Sequence, residues 1–435
     1  MKKYQSTPDK RFLPDYAKVS DYAKVSRGSV FLNKNIKVIF FLLITCIVLL
    51  GCDSKKTFIN QKLYDNWYER QPVWLSESQV IGKGYKDIKL ENRARGYAWG
   101  WGYYGNSLID MYKVTGDIKY LNEFIPQANY ILNQRDHLLG IESFSGSNLS
   151  LPVWSDGGYY STTKDFVYSY PVNTGMVVLP IVRFIDVVKE ESLSEFDKTA
   201  LYYIEETKKS LLVHNEDGLW KDFSENKGFY YGHPYGEGKV AEAGKEGVPN
   251  RVIIYLAAAG LFDKVNDSNI FTDRIEKSLM YFKEDLIEYD PDNDSYYWRY
   301  WKYSGEDNWE DISHAALTVY GIHVLHYEAD FEVFNHNDFM KFSNIVNKII
   351  NVEDKSNPRV SRFIHPRSDD EYYFEQQNNP YFVEIGRWSF LGKYNPVIYN
   401  KLDVLFEYLY GNGELTKDTI QTRLNQISNY LYSKE

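Results

Sequence analysis

Apolar residues recur at i, i+3, i+4 and i+7 along most of the chain, in segments separated by short polar breaks. The spacing predicts helices over Tyr97–Val114, Lys119–Gln134, Thr174–Val188, Phe196–Val213, Val252–Phe262, Phe271–Tyr289, Ile312–Tyr327, Asn337–Val352, Trp388–Tyr410 and Leu415–Tyr432. Two kinds of segment alternate. Those rich in Gly, Ala and aromatics suit an inner layer, because small residues let helices approach closely. The charged ones suit a solvated outer layer. Alternation of this kind over nearly the whole chain predicts an all-α fold, a closed ring of five to six antiparallel helical hairpins. Few short strands are expected, Tyr296–Tyr303 being the best candidate.

The N-terminus departs from that pattern. Val38–Leu50 holds thirteen uncharged residues after Lys34 and Lys37, too short to span a bilayer comfortably and suited to a signal-peptide core. Leu49-Leu50-Gly51-Cys52 follows and resembles the bacterial lipobox, which implies cleavage before Cys52 and lipid on its sulfur. The expected location is therefore the cell envelope, lipid-anchored on the periplasmic side of a bacterial membrane. Upstream, DYAKVS occurs twice in tandem over Asp15–Ser26, and translation is expected to begin downstream of it. The expected organisation is 1–51 leader and signal peptide, 52–90 linker and N-terminal extension, and 91–435 catalytic ring. Cys46 and Cys52 are the only cysteines, so the processed chain is expected to rest on its core and not on disulfides.

Composition narrows the function. The chain has 39 Tyr, 24 Phe and 10 Trp, flat apolar faces with a polar tip that serve both cores and sugar clefts. Residues 1–51 hold nine Lys/Arg and three Asp, a charge of +6, which leaves −16 of the formal −10 on residues 52–435. So acidic a body disfavours nucleic acid as a partner. An acidic polysaccharide or oligosaccharide would need a local cationic pocket.

Candidate chemistry gathers just before apolar runs, where inner helices would begin. One block includes Arg93, Arg95, Trp99 and Trp101, a second Tyr170, Pro171 and Asn173, a third Pro249, Asn250 and Arg251, and a fourth Trp309, Glu310, Asp311 and His314. Helix capping is the plain alternative for Asn173, Asn250 and Asp311. Glu310 and Asp311 stand four and three residues before His314, a spacing that sets a carboxylate beside the imidazole. Tyr296–Tyr303 carries Trp298, Arg299, Tyr300, Trp301, Lys302 and Tyr303, aromatics for stacking and cations for carboxylates. Tyr230–Gly236 reads as a mobile loop carrying His233 and Tyr235, and Arg387 stands in a further cationic-aromatic patch at 386–388, alongside one at Arg362–Arg367. The pattern predicts neither metal nor cofactor: a lone His with acids lacks the H-E-x-x-H spacing, His323 and His326 suit packing, and Asp290–Asp294 suits a turn.

These blocks, NTG…LP, PNR and YWRYW…EDISHA, resemble six-hairpin (α/α)-toroid carbohydrate-active proteins, among them polysaccharide lyases and uronate-acting enzymes. The resemblance spans about Asn92–Tyr410. It implies a Tyr acting as base or acid, a His, and an Asn or Arg at the uronate carboxylate. The matching residues are Tyr300 or Tyr303, His314 or His233, Asn173 or Asn250, and Arg299. Arg251, Glu310, Asp311, Trp101, Trp298, Trp301, Tyr235 and Arg387 are expected to bind substrate. Neutralising the carboxylate with Arg299 or Asn250 would ease removal of H5, and Arg299 and Lys302 would lower a nearby Tyr. A monomeric lyase or C5-epimerase is expected first. A glycoside hydrolase pairing Glu310 or Asp311 with Asp156 or Glu384 comes second, and a non-catalytic glycan-binding lipoprotein third.

Overall fold

Helices apolar on every side must be sandwiched between other elements. In the computed structural model every residue from Val172 to Val188 of Pro171–Glu190 is buried, as is all of Pro249–Val265 except Lys264. The first of these is long and apolar enough to cross a membrane, yet 94% of that stretch is buried inside the protein. The structure describes residues 60–70, 93–157, 166–303, 308–365, 372–373, 382–411 and 420–434, all within the unit Thr57–Glu435. Cys52, the leader and Pro366–Arg367 lie outside the described residues.

In chain order the longer helices are α1 (Gln61–Arg70), α2 (Gly102–Thr115), α3 (Lys119–Leu132), α4 (Pro171–Glu190), α5 (Asp197–Leu212), α6 (Pro249–Val265), α7 (Thr272–Tyr281), α8 (Ile312–Tyr327), α9 (His336–Ile349), α10 (Val397–Tyr410) and α11 (Ile420–Lys434). A 3₁₀ run, Phe382–Lys393, precedes α10. Packing closes a ring: α2 on α4, α4 on α6, α6 on α8, α8 on the 3₁₀ run, that run on α11, and α11 back on α2. Outside it, α3 packs on α2, α5 on α4, α7 on α6, α9 and α10 on the 3₁₀ run, and α1 on α11. The all-α (α/α) toroid is thus present in the packing itself.

Close approach is written into the inner helices. A Cβ on Gly175 would lie 2.6 Å from Tyr255 Cα, and one on Gly102 2.7 Å from the Met176 carbonyl oxygen, so α4 meets α6 and α2 backbone to backbone. Pro171 and Pro249 sit in the first turns of α4 and α6, where no amide donor is missed. Gly116 ends α2 in the left-handed conformation, φ +66°.

The inner elements run parallel. Trp99 and Tyr103 at the start of α2, Ser313 and His314 at the start of α8, and Glu384 and Arg387 at the start of the 3₁₀ run line one pocket. Near the opposite ends of these helices, Arg183 of α4 pairs with Asp110 of α2 at 2.9 Å and with Glu328 beyond α8 at 2.9 Å. That network fills the axis below the pocket.

Some expected boundaries move. The helix expected over Tyr97–Val114 opens with a π turn at Tyr97–Trp101. Trp388–Tyr410 divides at Asn395-Pro396 into the 3₁₀ run and α10, as a proline disfavours helix before it. Phe271–Tyr289 ends in a π turn and then pairs as strand Glu288–Asp290 with Ser295–Tyr297. Asp290–Asp294 is the turn between them, with Asp290 accepting from the Asp292 amide at 3.1 Å. Helix α1 falls in the stretch expected as linker, yet Tyr64 is fully buried and hydrogen-bonded to Ser107 at 3.1 Å.

Candidate active site

Local backbone pairing explains how the site is held. Trp309–Asp311 runs extended between two neighbours. On one side the Tyr300 amide donates to the Asn308 carbonyl at 3.0 Å and the Glu310 amide to Trp298 at 3.1 Å; on the other the Ile364 amide donates to Glu310 at 3.1 Å. Asp311 then caps α8, accepting from the amides of Ser313 at 3.0 Å and His314 at 3.1 Å. The capping alternative therefore holds for Asp311. Its second oxygen does more: it lies 2.6 Å from His314 Nδ1.

An extended chain alternates its side chains, and Trp298–Trp301 obeys that rule. Trp298 and Tyr300 point inward. The Trp298 indole donates to Glu310 Oε2 at 3.2 Å, and Tyr300 packs edge-on to His314, ring centroids 5.2 Å apart. Arg251 Nη2 donates to the Tyr300 hydroxyl at 3.1 Å, while its Nη1 pairs with Glu242 and its plane lies over Tyr170. Asn250 donates to Glu310 Oε1 at 3.4 Å. Asn250, Arg251, Trp298, Tyr300, Glu310, Asp311 and His314 thus form one connected group at the starts of α6 and α8.

Arg299 and Trp301 point the other way. Arg299 lies over Trp309 and 4.0 Å from Glu288, and the Trp301 indole donates to the Glu246 carbonyl at 2.8 Å. Lys302 pairs with Glu246. These three line a separate cavity of about 160 Å³. Strand alternation thus turns Arg299 away from Tyr300, whose cationic partner is Arg251, while Lys302 lies over Tyr303 at 5.3 Å. Tyr303 is 51% exposed and packs on Trp301, away from His314's partners. Trp101 is a core residue, its indole bonded to the Val177 carbonyl at 3.2 Å and its ring against Phe124; Trp99, two residues earlier, is the one at the pocket. His233 is stacked between Phe144 at 4.2 Å and Tyr235 at 4.5 Å. Burial lowers His233 to about 4, so it is neutral at pH 7.

Two neighbouring carboxyls are driven in opposite directions. Glu310 is wholly buried; burial, with the Asp311 charge beside it, pushes it well above the ordinary glutamate value. Burial also raises Asp311, but hydrogen bonds from His314 and two amides outweigh it, and Asp311 sits below its usual range. Donor atoms of Glu310, Asp311 and His314 lie within 4.8 Å of one another. Those of Glu310 and Asp311 are engaged by Trp298, Asn250, the α8 amides and His314.

The pocket beside this group has a volume of about 250 Å³ and is lined by Trp99, Tyr103, Ser313, His314, Leu317, Glu384 and Arg387. Arg387 pairs with Glu384, donates to Ser313 Oγ at 3.0 Å and stacks on Tyr103 at 4.2 Å. Asp156, the other carboxylate considered for hydrolysis, is buried and paired with Arg95 at 3.3 Å. Asn173 is wholly buried at the start of α4, and neither amide atom has a partner. Sequence reasoning missed Glu242, Tyr103 and Tyr320. The two Tyr carry single polar tips inside apolar helices, a signal in principle; Glu242 lies in a loop without pattern.

No protein-family model and no curated protein matches the chain. Solved structures of similar outline are those of the GH76A alpha-1,6-mannanase of Salegentibacter sp. HEL1_6. An inactive variant with alpha-1,6-mannotetrose shares 12% identity over 86% of this chain and 98% of that one, TM-score 0.45. An inactive variant with alpha-1,6-mannotriose shares 13% over 86% and 99%, TM-score 0.44. A further structure of this mannanase shares 13% over 85% and 98%, TM-score 0.43. At that identity and score the likeness is one of outline alone, and it assigns neither residues nor an activity to this chain.

Proposed function

We propose that the chain is a glycan-active enzyme working at the mouth of the toroid, and that its reaction starts by removing the proton beside the carboxylate of an acidic sugar, as a lyase or C5-epimerase does. The observation that supports this reading is the Asp311–His314 pair, whose His314 lines the pocket and packs edge-on to Tyr300, itself held by Arg251. Ionised Asp311 accepts from Nδ1–H, so Nε2 carries the lone pair. His314 Nε2 takes H5. The electron pair forms C4=C5, the C4–O4 bond breaks, and Tyr300 gives its proton to O4 while Arg251 steadies the phenolate. In this proposal Arg387, which lines the pocket, meets the sugar carboxylate in the role expected of Arg299.

A second reading, hydrolysis, is favoured by one observation: burial raises Glu310 while hydrogen bonds lower Asp311, which drives two adjacent carboxyls apart toward acid and base roles. Against it, Glu310 is buried beneath the pocket and does not line it.

The test uses purified protein with glucuronate, mannuronate and galacturonate polymers, and with α-1,6-mannan. Growing ultraviolet absorbance from an unsaturated product is expected on a uronate polymer. It should fall at least about 100-fold in Tyr300→Phe and His314→Gln and persist in Tyr303→Phe and Arg299→Ala. Reducing ends without that absorbance would establish hydrolysis instead, and binding without turnover a binding lipoprotein. The lipid anchor belongs to the same proposal: Cys52→Ala should release the protein from the membrane fraction.

A further inference from the structure

The exposed leucines gather on one wall. Among the described residues they are Leu138 and Leu139, in the short turn Asp136–Leu139 after α3, and Leu201 and Leu212 of α5. Leu201 is 62% exposed, and Tyr202 beside it is exposed too. Positions 198, 201, 202, 205, 209 and 212 share one side of a helix, and all six are exposed. The turn abuts the same helix, since Arg135 just before it pairs with Glu206. Single exposed leucines need no explanation, but a group of them marks a contact surface. The other large apolar residues that are exposed, among them Tyr289, Tyr327 and Val397, are scattered over other elements.

The polar residues of this wall suit a lipid surface. Lys198 and Lys209 stand between the leucines with long stems that can keep their charge in water, and Tyr202 has an apolar ring with a polar tip. Helix α5 carries three Lys against three acids, so it is neutral on a body of charge −16. An open groove of about 410 Å³ beside it is lined by Asn129, Asn133, Lys198, Thr199 and Tyr202, room and donors for a headgroup.

The chain outside the described residues says what covers the wall. The lipobox ends at Cys52, and α1 is preceded by Asn60, eight residues on. Eight residues span at most about 26–29 Å. Helix α1 is held to α3, where Tyr120 donates to Asp65 at 2.7 Å, and α3 to α5, where Tyr203 donates to Asn129 at 3.1 Å. Two helix spacings of about 8–10 Å therefore separate α1 from α5, within the reach of the tether.

We propose that the α3–α5 wall rests on the bilayer that holds the lipid of Cys52. The proposal rests on the lipid-anchor reading and adds an orientation to it. Hairpin helices run along the toroid axis, so with α5 on the membrane that axis lies parallel to the surface, and the mouth opens along the membrane.

The test uses the lipid-modified full chain on vesicles of phosphatidylethanolamine and phosphatidylglycerol. With Cys46 removed in the leader and Cys52 blocked by lipid, an introduced thiol alone takes an environment-sensitive dye. Leu201→Cys, Tyr289→Cys on another wall and Tyr327→Cys at the end of α8 opposite the mouth are labelled, with nitroxide-bearing lipid as quencher. The dye at position 201 should be quenched more than about twofold, and those at 289 and 327 little. Tyr202→Cys replaces the first variant if circular dichroism shows that it does not fold. Equal quenching at all three positions, or the strongest at 327, overturns the membrane-facing wall and leaves the anchor standing. A chain that carries no lipid and stays off the vesicles overturns the anchor and the wall together, and leaves the glycan reading untouched.

Discussion

Glu310→Gln probes the electrostatics beneath the pocket. The wild-type carboxyl accepts from Trp298 and Asn250, and burial raises it toward its neutral form. A glutamine fits the same space. Its carbonyl takes the Trp298 N–H, and its amide donates to Asn250 once that side chain turns over. The pH-independent cost is therefore about 1 kcal/mol or less. The pH-dependent part is diagnostic. A glutamate raised in the folded state binds its proton there while the unfolded chain, near the ordinary 4.5, has lost it. Folded protein then holds more protons than unfolded, and wild-type stability falls as pH rises. The slope is about 1.4 kcal/mol per pH unit for one proton. Glutamine lacks the term, so the stability of Glu310→Gln minus that of wild type should climb with pH from about 4.5 until Glu310 ionises in the folded state, then level off. Urea midpoints between about pH 5 and about pH 8, read with a common m-value, measure it. The contribution of Asp311 is common to both proteins and subtracts out. A difference that stays flat, or that declines with pH, would show Glu310 ionised and paired with Arg251, and the neutral acid beneath the pocket would have to be abandoned.

Three further outcomes follow from the packing. Arg183→Met strands Asp110 and Glu328 in the axis and should cost about 3–5 kcal/mol in urea unfolding; a loss below about 1 kcal/mol would mean that water reaches the network. Gly175→Ala sets a methyl 2.6 Å from Tyr255 Cα, where only backbone can yield, and should destabilise by about 1–3 kcal/mol, against a neutral result had the helices room to part. Asp290 is raised by burial but brought down to about 2 by Lys348 and its own turn. Its contribution, about 2 kcal/mol, is complete above the ordinary 3.8 and is lost as pH falls toward 2; Lys348→Met should flatten much of that acid limb in a stability–pH profile.

Helical periodicity made the hairpins legible, because burial on one face leaves a repeat that survives any detail of packing. The inner layer was legible through Gly102, Gly175 and the alanines of α6, where close crossing demands small residues. What the pattern carried less well was direction. The Tyr296–Tyr303 run was visible as a cluster, yet which half faced the mouth depended on the phase of a strand whose pairing partner, Trp309–Asp311, lies further along the chain. So Tyr300 fell on the inward side and Arg299 on the outward. Asp311 and His314 were readable because three residues on a helix start suffice to join them. Glu242 was not, since it lies in a loop without periodicity, nine residues before Arg251, where spacing alone does not set one side chain against another.

The seam of the ring has a consequence for assembly. Asp110 accepts a hydrogen bond from Ser428 at 2.9 Å, across 318 positions of sequence, so the first inner helix waits for the last. A helical protein ordinarily gathers itself from neighbours and does so fast; one sealed by elements 318 positions apart must hold an open arc until the later of them has been made. Loss of the closing helix would then leave a gap running the full height of the wall, with the apolar flanks of α2 laid bare to aggregation.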